Sequence, residues 1–192
     1  MTTIGFAICG SFCTFKSVFK EVENLVNAGY DVVPIMSENA FSFDTRFGTA
    51  DFWQNEFKRI TKKDIIHTIK DAEPIGPKKL LDALVIAPCT GNTLAKLSSG
   101  ISDTSVTLAT KAHLRNARPV VIAVSTNDAL ANAAKNIGNL LNYKNIYFVP
   151  FREDSYKTKP CSCVADFTLL EKTVDCALKG IQLQPVLTTP LE

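Results

Sequence analysis

Short apolar, β-branched runs separated by stretches of helical period constrain this chain more than any other feature of its sequence. Five such runs stand out, at residues 4–9, Asp31–Met36, 83–87, 119–124 and 145–149. They alternate with segments of helical period, the pattern of βαβ units and of a parallel sheet covered on both faces. In the first unit Phe15, Val18, Phe19, Val22, Leu25 and Val26 recur at helical spacing, and Ala28-Gly29-Tyr30 supplies the stop. Further helices are expected over residues 51–59, 92–99, 105–116, 128–141 and 166–179. The fold class this predicts is α/β: a three-layer, Rossmann-like or flavodoxin-like parallel sheet with helices on both faces.

With 192 residues, 46% of them hydrophobic and 21% charged, the chain has enough apolar material for one substantial core, so residues 1–192 read as a single domain. Two stretches resist the pattern. Residues 37–79 read as an irregular insertion in which only 51–59 looks helical. Residues 150–165 read as a polar flap carrying Arg152, Lys157 and Lys159. The tail after Gly180, with Pro185 and Pro190, is expected to lie on the surface or fray. The net charge of +2 arises from 21 basic and 19 acidic residues without a block of like charge, which argues against nucleic acid or an anionic membrane as partner. No apolar run approaches the roughly 20 residues of a membrane span. Met1-Thr2-Thr3 lacks a basic leader, so a soluble, cytoplasmic protein is expected. Cys9, Cys13, Cys89, Cys161, Cys163 and Cys176 form no C-x-x-C pair, and neither a metal site nor a disulfide framework is expected.

In open α/β sheets ligands bind beyond the carboxyl ends of the strands, so the residues after each apolar run are the informative ones. They are Gly10-Ser11-Phe12-Cys13-Thr14, Ser37-Glu38-Asn39-Ala40, Pro88-Cys89-Thr90-Gly91-Asn92-Thr93 and Ser125-Thr126-Asn127-Asp128. Hydroxyls and amides dominate this set, the lining of a phosphate or polyol site rather than of a metal or acid–base centre. Gly10 allows backbone N–H groups close to an anion, although with Ser11 it could equally just shape a tight strand-to-helix turn. A Walker A loop fails, because Ser11-Phe12 follows where Lys-Ser/Thr is required. The dinucleotide fingerprint G-x-G-x-x-G is absent too, and Glu38 alone imitates the acid that grips a ribose. His67 and His113 fall away from the strand ends and read as structural or surface groups. No nucleophile elbow or zinc-protease motif occurs. A bound cofactor that carries the chemistry suits this inventory better than a protein nucleophile.

The segment Ala87-Pro88-Cys89-Thr90-Gly91-Asn92-Thr93-Leu94-Ala95-Lys96 resembles the signature of the flavoprotein superfamily, Ala-Pro-x-(Thr/Ser)-Ala-Asn-Thr-x-x-Lys, with Gly91 in place of Ala. Phosphopantothenoylcysteine decarboxylase, the lantibiotic peptidyl-cysteine decarboxylases and flavin prenyltransferase share it. Gly100-Ile101-Ser102-Asp103 and Gly10-Ser11 fit its continuation and its first phosphate loop. Longer blocks, among them residues 44–50, 72–78, 125–130, 145–151, 159–165 and 182–186, resemble the family of dipicolinate synthase B subunits. Three features of the decarboxylases are missing, one of them the Cys-Gly flap motif, since neither Cys161 nor Cys163 is followed by Gly. Pro74-Ile75-Gly76-Pro77 stands where they carry a catalytic His, and Val124-Ser125-Thr126-Asn127-Asp128-Ala129-Leu130 replaces their Pro-x-Met-Asn-x-x-Met, keeping only Asn127.

The resemblance implies FMN, a homo-oligomer, and an A subunit that brings NAD(P), the pair forming dipicolinic acid during sporulation from a small dicarboxylate at the dihydrodipicolinate level. On that reading the phosphate lies on Gly10, Ser11 and Ser37, and the ribityl chain near Thr90, Asn92 and Thr93. The ring lies beside Ser125 and Asn127, with Phe12 and Thr126 in the same loops and Cys13 and Cys89 at the edge. Arg46 and Asn127 are the candidate catalytic residues, Arg46 as a fork for a substrate carboxylate or, equally, as an ion pair at a subunit interface. Two alternatives stay open: a cofactor-free partner of the A subunit with a phosphate-binding cleft, and a stand-alone FMN- or NAD(P)-dependent oxidoreductase.

Overall fold

A computed structural model describes residues 1–189. Its strands are β1 (Thr3–Ile8), β2 (Asp31–Met36), β3 (Ala83–Cys89), β4 (Val120–Thr126), β5 (Ile146–Phe148), β6 (Phe151–Ser155) and β7 (Lys159–Ala165). The helices are α1 (Phe15–Asn27), α2 (Glu38–Ser42), α3 (Ala50–Thr61), α4 (Ile69–Ala72), α5 (Gly91–Ser98), α6 (Ser105–Leu114), α7 (Ala134–Leu141) and α8 (Leu170–Leu178). The five expected runs become β1 to β5, all parallel, in the order β2-β1-β3-β4 with β5 beside β4. That is the flavodoxin-like order, with its switch point between β1 and β3.

Every residue of β3 is buried and so is all of β4 except Thr126, as a central strand covered on both faces requires. Helix α1 lays Phe15, Val18, Phe19, Val22 and Leu25 on one face of the sheet, where it meets α8. Helices α5, α6 and α7 cover the other face. Pro34, which cannot donate to a ladder, sits in the edge strand β2, and that edge is closed by Ile66, whose N–H donates to Pro34 O at 2.9 Å.

Three expectations are corrected. Residues 37–79 are not irregular: they hold α2, α3, α4 and a 3₁₀ turn at Glu73–Ile75, with Ser37, Thr49 and Thr68 each accepting a backbone N–H as N-cap. The flap is a hairpin, β6 and β7 antiparallel, and β7 pairs Ser125 and Thr126 of β4 with Val164 and Cys163. It takes up the carboxyl half of β4 that the short β5 leaves unpaired. The helix expected from residue 128 begins at Ala134, because Leu130 N–H donates to Cys161 O of β7 at 3.0 Å and the chain between turns back on Asp128. The tail lies on the surface, as expected, and is pinned there through residues 182–188: Gln182 brackets Phe148 through its side-chain amide, Leu183 is buried, and Phe151 N–H donates to Val186 O at 3.0 Å. Pro190 lies outside the described residues.

Candidate functional site

The loops that follow β1, β2, β3 and β4 converge at the carboxyl edge of the sheet, and two clefts open there. The first, about 340 Å³, is lined by Gly10, Ser37, Glu38, Asn39, Thr90, Asn92, Thr93 and Lys96, with Cys9 at its floor. The second, about 520 Å³, is lined by Ser11, Cys13, Ser125, Thr126, Asn127 and the hairpin residues Asp154, Lys159 and Ser162. Ser11 Oγ and Ser125 Oγ, 2.8 Å apart, tie the β1 loop to the end of β4. Nine of the ten residues expected to bind a cofactor therefore border one continuous edge.

Phe12 is the tenth and faces elsewhere. It lines an apolar hollow with Phe19, Phe47, Phe52 and Trp53, although its ring edge still passes 3.4 Å from where a side chain on Gly10 would begin. Arg46 lines neither cleft. It is exposed in the turn before α3, its guanidinium 4.8 Å from the centre of the Phe47 ring. Cys89 does not edge the pocket either, being fully buried, and Cys9 takes that place. Burial pushes the Cys9 thiol up to about 11, against the pull of the Thr93 hydroxyl, which donates to its sulfur at 3.3 Å. Burial and the neighbouring Cys9 push Cys89 up as well. These two are packing groups rather than nucleophiles.

The hydroxyls of the first cleft carry a structural duty beside any ligand. Thr90 accepts from Thr93 N–H as N-cap of α5, and Ser37 accepts from Ala40 N–H as N-cap of α2. Ser37 still has its hydroxyl proton to donate outward, whereas the Thr90 hydroxyl stands 3.2 Å from Thr93 Oγ1 and donates to it, the Thr93 proton going to Cys9. The N–H groups of Gly91 and Asn92, in the first turn of α5, have no helical acceptor and face the positive end of its dipole. Thr93 is the exception, since its hydroxyl is turned inward to Cys9 and Thr90. Lys96 brings a positive charge, held at 2.8 Å by Asp103, whose carboxyl it keeps below its usual range. The edge thus has backbone donors, an outward hydroxyl at Ser37, a lysine and a glycine at which the chain can be approached. This donor set suits a phosphate with a polyol tail, and so fits the phosphate and ribityl parts of a flavin nucleotide.

Gly91 has a local reason. A Cβ there would stand 2.7 Å from both Thr126 Oγ1 and Asp128 Oδ1, which are themselves hydrogen bonded at 2.5 Å. Two of the departures from the superfamily pattern, Gly91 and Thr126, therefore meet in one contact. The segment without the catalytic His, residues 74–77, is taken up in packing on α6, where Gly76 O accepts from the Asn116 amide at 2.9 Å. His67 stacks on Phe41 with ring centres 3.9 Å apart, in a neighbouring hollow that shares Glu38 and Thr104 with the first cleft. His113 is buried, its Nε2 3.1 Å from Pro119 O.

Sequence reasoning missed Asp154, Ser162 and Thr104 as cleft residues. Asp154 and Ser162 come with the hairpin, which only the pairing of β7 with β4 brings to the edge. No alternation marked the strand, since Ser162 and Cys163 are buried side by side and the segment opens on Lys159-Pro160, too polar to read as core.

The family model for flavoproteins matches residues 1–179, and the chain belongs to the flavoprotein family. It is 46% identical over 184 residues to the B subunit of dipicolinate synthase from Bacillus subtilis (strain 168), covering 96% of this chain and 92% of that one. The crystal structure of the dipicolinate synthase B subunit from Bacillus halodurans matches it with a TM-score of 0.91 and 43% identity, over 99% of this chain and 97% of the other. Within the flavoprotein family the chain belongs with these B subunits. The FMN-dependent cysteine decarboxylase SpaF shares the fold, with a TM-score of 0.67 at 21% identity over 93% of this chain and 96% of that one. Among the described residues no helix is long and apolar enough to cross a membrane.

Proposed function

We propose that this chain is the flavin-binding partner of an NAD(P)-dependent A subunit, the two forming dipicolinic acid from a small dicarboxylate at the dihydrodipicolinate level in the cytoplasm of a sporulating cell. The observation that carries the reading is that the two clefts adjoin at the β1 loop, Gly10 lining the phosphate-type one and Ser11 the roomier one, where Ser11 Oγ stands 2.8 Å from Ser125 Oγ at the end of β4. Flavodoxin-like sheets place FMN at this switch point.

FMN would be held by Gly10, Ser37, Thr90, Asn92 and the first turns of α2 and α5 at its phosphate and ribityl end, and by Ser11, Ser125, Thr126 and Asn127 toward its ring. A bound flavin supplies a hydride acceptor, which is what oxidation of a dihydropyridine ring requires. The chain's own residues bind, orient and shield. Asn127 is exposed at the end of β4 and presents an amide to whatever enters the second cleft. Phe43, Phe47 and Phe52, between 41% and 55% exposed beside the hollow at Phe12 and Trp53, support self-association, so the mass in solution should be a multiple of 21.0 kDa.

The test is dipicolinate formation by the two subunits together, with and without added FMN. Product formation that needs flavin on this chain supports the proposal. A chain that never takes up flavin yet is still required by the A subunit would instead be a cofactor-free, phosphate-binding partner. NADPH turnover by this chain alone would make it a stand-alone oxidoreductase.

A further inference from the structure

The second cleft has hydroxyls and amides on three sides and one cation. Lys159 opens β7, and among the described residues it is the sole basic group in the lining. The other two cations of the hairpin are committed elsewhere. Arg152 is paired with Asp166 at 3.2 Å, and Lys157 lies over the Tyr156 ring. Arg46, which the sequence offered as a carboxylate ligand, is not in this cleft.

The position of Lys159 is built. Its Nζ is 2.6 Å from Asp154 Oδ2, across the turn of the hairpin, and Ser162 Oγ donates to the same oxygen at 3.4 Å. The hairpin is fixed in turn to β4 through Ser125 and Thr126, so the ammonium stands over the cleft that holds Ser125 and Asn127. Asp154 balances the lysine's charge when nothing else does, but the pair is accessible, with side-chain exposures of 59% and 34%. An exposed ammonium–carboxylate pair of this kind is weak in water and exchanges readily for another carboxylate.

We propose that Lys159 is a substrate-binding residue, the anchor for one carboxylate of a small dicarboxylate in the second cleft, and that Asp154 is its built-in competitor. The inference rests on the reading that this cleft receives the substrate beside the flavin. It gives the hairpin a purpose that flavin binding does not, since the phosphate-type cleft lies on the other side of the Gly10–Ser11 loop.

The experiment is calorimetric titration of the full chain, in excess FMN, with pyridine-2,6-dicarboxylate as probe, while flavin fluorescence reports FMN binding separately. Lys159→Gln should weaken the probe by about tenfold or more, as loss of a charge-assisted contact does. Lys159→Arg should restore most of it. Asp154→Asn should tighten binding, because the competing carboxylate is gone. A merely structural pair would make Lys159→Gln and Asp154→Asn act in the same direction, and that result overturns the inference. So does wild-type protein that takes up flavin but no dicarboxylate. If flavin fails to bind while the opposite effects of Lys159→Gln and Asp154→Asn persist, the flavin reading falls and the carboxylate anchor stands.

Discussion

Gly91 shows how a single residue couples two loops. It opens α5, and the space its missing side chain leaves is filled by Thr126 Oγ1 and Asp128 Oδ1 from the end of β4. Both atoms are side-chain ends and can move, so Gly91→Ala should fold. It should also break the Thr126–Asp128 hydrogen bond and loosen residues 125–130, costing about 1 kcal/mol. Urea unfolding of Gly91→Ala, Asp128→Ala and the double variant checks this. The two losses should not add, because both remove one contact. Strictly additive losses would mean that Gly91 answers to something else. Gly91 was visible in the sequence as a departure from the superfamily signature, but its partners were not, since contact between residues so far apart in the chain is a property of the folded sheet.

At the scale of elements, β1 to β5 and their order follow from patterning, because strands buried on both faces must be continuous apolar runs and cannot hide. The hairpin β6–β7 was the element least visible. Its strand β7 lies between β4 and β6 and does not alternate, with Ser162 and Cys163 buried in succession and Lys159 and Pro160 exposed, and its polar residues made it look like a loop. The opening turn of α7 fails for a related reason: a helical period runs through residues 128–133, but the N–H of Leu130 is claimed by β7. Tertiary pairing overrides local period there.

Helix α6 gives an element-scale prediction. Its last turn buries His113, and burial lowers the imidazole from 6.5 to about 4. On acidification the unfolded chain therefore takes up this proton first, so stability falls as pH drops from about 6.5 toward 4 and is intact above that window. Between pH 7 and pH 5 the loss is about 2 kcal/mol for this one group. Urea midpoints across that range should fall for the wild type, and much less for His113→Gln. An equal fall in both would show that other groups set the acid limb.

For the whole molecule, the two clefts at one sheet edge are the consequence of the switch point, which sends the β1 and β3 loops apart, and of a hairpin that adds a wall beyond β4. Neighbouring hydroxyls could be anticipated from the strand ends. Their division between the clefts could not, nor the fact that Ser37 and Thr90 cap helices while they line the first cleft. Phe12 lines another hollow because a residue's nearness in sequence to a strand end says nothing of the direction of its side chain, and Arg46 stands in the turn before α3, away from any strand end.

The central claim is that backbone at Gly10 comes close to a flavin phosphate. A Cβ at Gly10 would meet Phe12 at 3.4 Å and Asn39 at 3.7 Å, ordinary contacts at a position without backbone strain, so Gly10→Ala should be as stable as the wild type. The deciding measurement is an equilibrium FMN titration of the two proteins by flavin fluorescence. The account predicts saturable binding by the wild type and at least about tenfold weaker binding by Gly10→Ala at unchanged melting temperature. Equal affinity in the two, or no binding by either, would contradict it.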